Sequence, residues 1–358
     1  MFATMMDNKP LPPTSAEPVR PDDGSWQSAP LSVQSDDNSA GREADVAETA
    51  SPSFPLSPVA RNESLLRAAF PSPRGIHAGS HLMVYLALAF VVFEVEGWVI
   101  VSLRPQLNDL WWRMLTEGSL MLAAILPGFA MARVENRPFG DFGLPVRRAF
   151  ARNFWTGTLW GIASLSILIL MLRATGAFEF GNIALRGPRI WKFAAYYAVL
   201  FLFTGLFEDF LMRGYSQWVL AQGINFWPAA VFLSIAFGAI HDTNPGESST
   251  GLVAAGFIGL FLCLTLRRTG DLWWAIGFHM AWDWGESYLY SVPDSGAILP
   301  GHLLNSSLHG PVWLTGGSVG PEGSYLVFVV IGALWILFCR VYPAVKSGGI
   351  SVSVSYQD

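Results

Sequence analysis

Apolar runs of about 20 residues recur along this chain from residue 80 onward, and they constrain its fold more than any other feature. A run of that length is what an α-helix needs to cross the hydrocarbon core of a bilayer. The runs lack the alternation of apolar and polar residues that is typical of membrane β-barrels. The sequence therefore predicts an all-α, polytopic transmembrane helix bundle.

Eight segments are predicted to span the bilayer, and the composition agrees with them. Hydrophobic residues make up 52% of the chain and charged residues only 14%, whereas a soluble domain carries roughly 25% charged residues. The net charge of −5, without a basic stripe, excludes an electrostatic nucleic-acid binder, so the expected partner is the lipid bilayer. The predicted spans lie at about 82–103, 110–132, 154–172, 193–213, 226–244, 250–266, 271–290 and 323–343.

The remaining segments are expected to lie outside the membrane domain, which we place at residues 79–345. Residues 1–78 are rich in Pro, Ser, Asp and Ala and show no sustained periodicity, so a disordered N-terminal tail is predicted. Residues 346–358 form a short C-terminal tail.

Lys and Arg residues in the loops predict that both termini are cytoplasmic. They are concentrated between the second and third spans, between the sixth and seventh, and after the last, whereas the loops after the fifth and seventh spans carry none. One loop has the opposite bias, because this topology would leave four basic residues outside. These are Arg173, Arg186, Arg189 and Lys192.

The first polar motif is LFEDFLMRGY, which contains Glu208, Asp209 and Arg213. Asp209 and Arg213 are four residues apart, so they share a helix face and can form an ion pair. Glu208 points about 100° away and is left free. A free carboxylate in a low-dielectric span suits a general acid or base, although an ion-pair cluster at a helix end would also explain the motif.

The second and third motifs place histidines inside apolar runs. Phe237 and His241 lie four residues apart in FLSIAFGAIH, and His279, Asp283 and Glu286 follow in IGFHMAWDWGE. The last three share one helix face, which must line water, a metal or another polar group unless that helix lies flat in the interface.

Two kinds of site are compatible with Glu208, His241 and His279. One carboxylate and two imidazoles form the ligand set of many catalytic zinc sites that keep a position open for water. The same groups could activate water without a metal, with Glu208 acting as the base.

A long fourth helix is required for these groups to meet. Helical spacing of apolar residues continues beyond Arg213, which predicts a helix over about 193–221, roughly 43 Å long at 1.5 Å per residue. Glu208 would then lie near its middle, at a depth that both histidines can reach.

In order and spacing, the three motifs resemble those of the CPBP family of intramembrane endopeptidases, which includes the type II CAAX prenyl proteases and bacterial homologues. The resemblance covers about residues 110–290 and includes RPFGDFGL at 137–144. It implies a membrane endopeptidase acting on a peptide or protein substrate at the membrane, here expected in a bacterial inner membrane. The implied catalytic residues are Glu208, His241, His279 and Asp283, and the implied supporting residues are Asp209, Arg213, Phe237 and Glu286.

The chain departs from the family pattern at two positions. Asp209 stands where the family usually has a second Glu, and Asp283 occupies a position that is often Asn in the prenyl proteases. Unlike Asn, an ionised Asp cannot donate a hydrogen bond to an oxyanion, so Asp283 suits ligating a metal or orienting His279. This favours a metalloprotease in which Glu208, His241 and His279 hold a divalent metal such as zinc.

Two other functions remain compatible with the sequence. A non-proteolytic membrane scaffold or immunity factor could retain the motifs. A proton-coupled transporter could use Glu94 and Glu96, two acidic residues at membrane depth in the first span.

Overall fold

The computed structural model describes residues 73–244 and 246–344, with side chains from residue 77 onward. Helices dominate these residues, which confirms the all-α prediction. The predicted C-terminal tail and nearly all of the predicted N-terminal tail fall outside the described residues. The helices are α1 (Pro73–Leu103), α2 (Asp109–Val134), α3 (Arg152–Ala174), α4 (Pro188–Arg213), α5 (Tyr215–Ile224), α6 (Phe226–Ile240), α7 (Ser249–Thr269), α8 (Trp273–Trp284), α9 (Val312–Thr315) and α10 (Leu326–Val341).

Shorter elements lie mainly between these helices. Strands β1 (Phe178–Glu179) and β2 (Ser307–Leu308) pair antiparallel. A π-helical turn, Gly285–Tyr290, continues α8. The 3-10 turns are Arg104–Gln106, Phe139–Phe142, Val146–Arg148, His241–Thr243 and Pro321–Gly323.

Helices with lipid-compatible surfaces make this an integral membrane protein. Among the described residues, five helical stretches are long and apolar enough to cross a bilayer. They are His77–Gln106, Asp109–Val134, Arg152–Ala174, Pro188–Ile224 and Ser249–Thr269. On α1, large apolar side chains such as Trp98 and Val95 point outward, as expected for a helix solvated by lipid.

Each of the eight predicted spans coincides with a helix, but three of these helices are short. They are α6, α8 and α10, with 15, 12 and 16 residues. The first ends where His241 begins a 3-10 turn, and α8 changes to π-helical geometry at Gly285.

The predicted long helix is confirmed, with a break at Gly214. Helices α4 and α5 together form a 37-residue stretch, Pro188–Ile224. At the break, a Cβ on Gly214 would overlap the carbonyl oxygen and ring of Phe210, so no larger residue fits this geometry. Glu208 lies near the middle of the stretch, as the sequence predicted.

Helices α3 and α8 cross at backbone contact through glycines. A Cβ on Gly161 would overlap the Phe278 carbonyl oxygen, and one on Gly277 would overlap that of Phe154. Gly157, one turn before Gly161, is equally close to the backbone of α8. Small residues at this spacing allow close helix packing in lipid, where van der Waals contact drives association. The crossing fixes the depth and rotation of α8, which carries the third motif.

Substitution of Gly161 by Ala should therefore destabilise the bundle by about 3 kcal/mol, because the added methyl forces two backbones apart. Gly332→Ala is the matched control, since a Cβ there meets nothing within 4 Å. Unfolding of the purified protein in detergent measures both. Equal stability of the two variants would contradict the close crossing.

Candidate active site

The centre of the site is formed where α4 faces α8. The Nε2 atom of His279 lies 3.6 Å from Oε2 of Glu208 and 3.5 Å from Oδ2 of Asp283. The side chains of His279 and Glu208 are 15% and 22% exposed, so water can reach them. The structure thus brings together three of the four predicted catalytic residues.

Asp209 lies behind this centre and contacts the other imidazole nitrogen. Its Oδ2 is 3.4 Å from Nδ1 of His279, while its Oδ1 accepts a hydrogen bond from Arg213. The sequence analysis named Asp209 as a supporting residue and considered Asp283 as a residue that could orient His279. Asp283 faces the same imidazole nitrogen as Glu208, whereas Asp209 faces the opposite nitrogen of the ring.

The Arg213 guanidinium is buried and connects three helices, α4, α6 and α7. Its Nε donates a hydrogen bond to the Gly259 carbonyl oxygen on α7 at 3.2 Å, and its charged group lies 4.5 Å from the centre of the Phe237 ring on α6. A cation over an aromatic face is stabilised most where water is excluded. The predicted supporting residues Asp209, Arg213 and Phe237 therefore form one packed unit.

His241 lies at the end of α6 and faces its own helix. Its Nδ1 is 2.7 Å from the Phe237 carbonyl oxygen, and its ring packs edge-on against the Phe237 ring. A carbonyl oxygen only accepts, so Nδ1 donates and Nε2 is the remaining acceptor of the neutral ring. Among the ion pairs of the described residues, none joins His241 to Glu208. The predicted zinc ligands, Glu208, His241 and His279, do not converge here.

A different set of ligand atoms does converge. In the described part of the chain, one group of three or more His, Cys, Asp or Glu residues has ligand atoms that all lie within 4.8 Å of one another. Its members are Asp283, Asp294 and Glu322. This set shares no residue with the predicted zinc ligands.

Several acidic residues near the site were missed by the sequence analysis. Glu117 on α2 accepts a hydrogen bond from Thr204 at 3.0 Å and lies in electrostatic range of Glu208. Its position inside an apolar span was a usable signal. Asp294 and Glu322 come from the segment that joins α8 to α10, where no local pattern indicates their approach to Asp283.

Two acidic groups outside the spans have raised pKa values. Burial raises the pKa of Asp294 well above its usual range, and the charges of Asp283 and Glu322 raise it further. Burial also raises the pKa of Glu247, between α6 and α7, although the backbone N–H of Ser248 partly offsets this shift. This end of the bundle therefore carries an excess of poorly solvated acidic groups.

Comparison with known proteins supports the family recognition. Residues 189–285 match the family described as Type II CAAX prenyl endopeptidase Rce1-like. The match extends from α4 to the start of the π-helical turn, and so includes every motif residue except Glu286. The resemblance to CAAX-type endopeptidases is confirmed over this segment. No curated protein and no solved structure matched the chain.

Substituting Asp209 by Asn should destabilise the protein by about 3–5 kcal/mol, because it leaves the buried Arg213 charge uncompensated. The matched control is Asp109→Asn, which breaks the exposed ion pair with Arg104 and should change stability by less than about 1 kcal/mol. Thermal unfolding in detergent compares the two. If both variants lose the same small amount, the buried pair does not have the structural role described here.

Proposed function

We propose that this protein is an intramembrane endopeptidase that hydrolyses peptide bonds of substrates close to the membrane. The observation that carries the proposal is the approach of Glu208 Oε2 to His279 Nε2, 3.6 Å apart on two helices and still accessible to water. The family match over these helices supports the same reaction class. The substrate class is a peptide or protein segment, without a requirement for a CAAX terminus.

Glu208 acts as the general base. The separation from His279 is too long for a hydrogen bond and too short to admit a water between the two groups. The reacting water therefore lies beside them, bonded to the Glu208 carboxylate. Glu208 takes a proton from this water while the water oxygen attacks the scissile carbonyl carbon. Glu208 then passes that proton to the leaving amine as the C–N bond breaks.

His279 stabilises the charge that develops on the carbonyl oxygen. Because Asp209 Oδ2 lies 3.4 Å from Nδ1, its charge favours a proton on that nitrogen and a ring whose Nε2 faces the reacting groups. When the ring is protonated, Nε2 donates a hydrogen bond to the carbonyl oxygen of the substrate, which gains negative charge in the transition state. The Asp209–Arg213 pair keeps this arrangement rigid, so the His279 ring does not have to reorient during the reaction.

His241 and Asp283 complete the site from the end where α6 and α8 open toward the connecting loops. The free Nε2 of His241 can accept a hydrogen bond from the substrate backbone. Asp283 limits the positions open to the His279 ring. A catalytic metal is not part of the proposal, because its predicted ligands do not fit one in this arrangement.

Replacing Glu208 by Gln should reduce peptide hydrolysis by about 10²–10⁴-fold, because the amide cannot take the proton from water. Membranes of cells that produce the wild-type or the variant protein can be compared by proteome-wide mapping of protein termini. New termini that depend on the wild-type protein, and their loss with Glu208→Gln, are expected.

Glu96→Gln provides the matched control, since Glu96 is also a membrane-depth carboxylate but bonds with Ser119 on α2. It should retain the wild-type set of termini. Identical termini in wild-type and Glu208→Gln membranes, at equal protein levels, would contradict the protease proposal and favour a scaffold.

A further inference from the structure

A second cluster of carboxylates lies next to the catalytic centre. The ligand oxygens of Asp283, Asp294 and Glu322 lie within 4.8 Å of one another. Asp283 comes from α8, and the other two come from the segment between α8 and α10. Two distant parts of the sequence therefore meet on a residue that also contacts His279.

The backbone around this cluster is built to hold the carboxylates together. The Gly296 N–H donates to the Val319 carbonyl oxygen at 3.1 Å, which joins the two halves of the connecting segment. Gly320 has a φ of 105°, and a Cβ there would overlap the Pro293 carbonyl oxygen. Such an approach and such a φ both require glycine.

Hydroxyl groups also hold two of the carboxylates in place. Ser287 donates a hydrogen bond to Asp294, and Ser295 donates one to Glu322, each at 3.0 Å. Each bond occupies one oxygen of its carboxylate and leaves the second oxygen available to a ligand.

Glu286 supplies a second, independent observation that points to a ligand. It is 0% exposed, and neither of its carboxylate oxygens has a well-formed hydrogen bond, although Trp282 lies close by. The charges that act on it most strongly are those of the three clustered carboxylates, Glu322, Asp294 and Asp283. An ionised buried carboxylate without a partner is costly, so either a proton or a bound cation must offset the charge of Glu286.

The protein itself provides little compensating charge. Within the described residues, the only ion pair made by any of these four carboxylates joins Asp283 to His279, at 3.5 Å. Arg213 already pairs with Asp209. Four acidic groups near one imidazole leave an excess of negative charge, with Asp283 and Glu286 buried and with Asp294 and Glu322 partly exposed.

We propose that Asp283, Asp294 and Glu322 bind one Ca²⁺ ion, and that the ion also offsets the charge of the neighbouring Glu286. The donors are all oxygen, which suits a hard cation and does not suit zinc or copper. Ca²⁺ accepts irregular geometry and several carboxylates, whereas Mg²⁺ demands a near-ideal octahedron and retains most of its water. Donors of unequal reach, one from α8 and two from the connecting segment, match the Ca²⁺ requirement.

Bound Ca²⁺ would couple the connecting segment to the catalytic centre. The ion attracts the Asp283 carboxylate, which reduces its contact with His279 Nε2 and leaves Glu208 as the nearer carboxylate. It also fastens Asp294 and Glu322 to the end of α8. The binding itself does not depend on the proposed peptidase activity, so each can fail without the other.

The test is calorimetric titration of the purified full-length protein in detergent with CaCl₂ after dialysis against EGTA. We expect one Ca²⁺ per chain, an upward shift of the unfolding temperature with added CaCl₂, and weaker binding of MgCl₂. Glu322→Gln and Asp294→Asn should each weaken Ca²⁺ binding at least about tenfold. Asp242→Asn, an exposed acidic residue that follows α6, is the matched control and should bind as the wild type does.

The proposal is overturned if the wild-type protein binds no Ca²⁺ at 10 mM CaCl₂, which would mean that shared protons neutralise the cluster. It is also overturned if a folded Glu322→Gln or Asp294→Asn variant binds Ca²⁺ as tightly as Asp242→Asn. The wild-type titration decides the matter even if one cluster variant does not fold.

Discussion

The buried ion pair between Asp209 and Arg213 is the interaction on which the rest of the site depends. Removing two charges from water is costly, and the pair is tolerated only because each partner has further contacts. Arg213 uses the Gly259 carbonyl and the Phe237 ring, and Asp209 uses the His279 imidazole. The three sequence motifs are thus one electrostatic unit, since each motif contributes a residue that this pair requires.

Lipid explains why such a unit can hold its geometry. Between helices in a bilayer, the hydrophobic effect supplies little attraction, so close packing and polar contacts decide how the helices associate. The glycine crossing of α3 and α8 sets the position of His279, and the long α4–α5 stretch sets the depth of Glu208. Glu208 and His279 consequently belong to rigid helices, which favours a precisely held site.

Local periodicity was sufficient to predict much of this arrangement. The eight helical segments and the i,i+4 contacts of Asp209 with Arg213 and of His279 with Asp283 follow from apolar run length and helical spacing. The GxxxG spacing of Gly157 and Gly161 was also visible in the sequence, although its role became apparent only from the α3–α8 crossing.

Tertiary packing determined what periodicity could not. Asp209 reaches His279 because its second oxygen remains available after pairing with Arg213, which no spacing rule indicates. His241 turns toward the Phe237 carbonyl because α6 ends at Ile240, so it does not join a three-ligand set.

Longer-range contacts were equally inaccessible from the sequence. The meeting of Asp294 with Glu322 depends on the folded course of the connecting segment, which carries little regular structure from which to predict it.

The most direct test of the central role of Asp209 is the position of the proton on His279. Nitrogen-15 NMR of histidine-labelled protein in detergent distinguishes Nδ1–H from bare Nδ1, and comparison with His279→Gln identifies the signal among the six histidines. The position of Asp209 Oδ2, 3.4 Å from Nδ1 of His279, predicts that this nitrogen carries a proton at neutral pH. A bare Nδ1, with the proton on Nε2 alone, would contradict it.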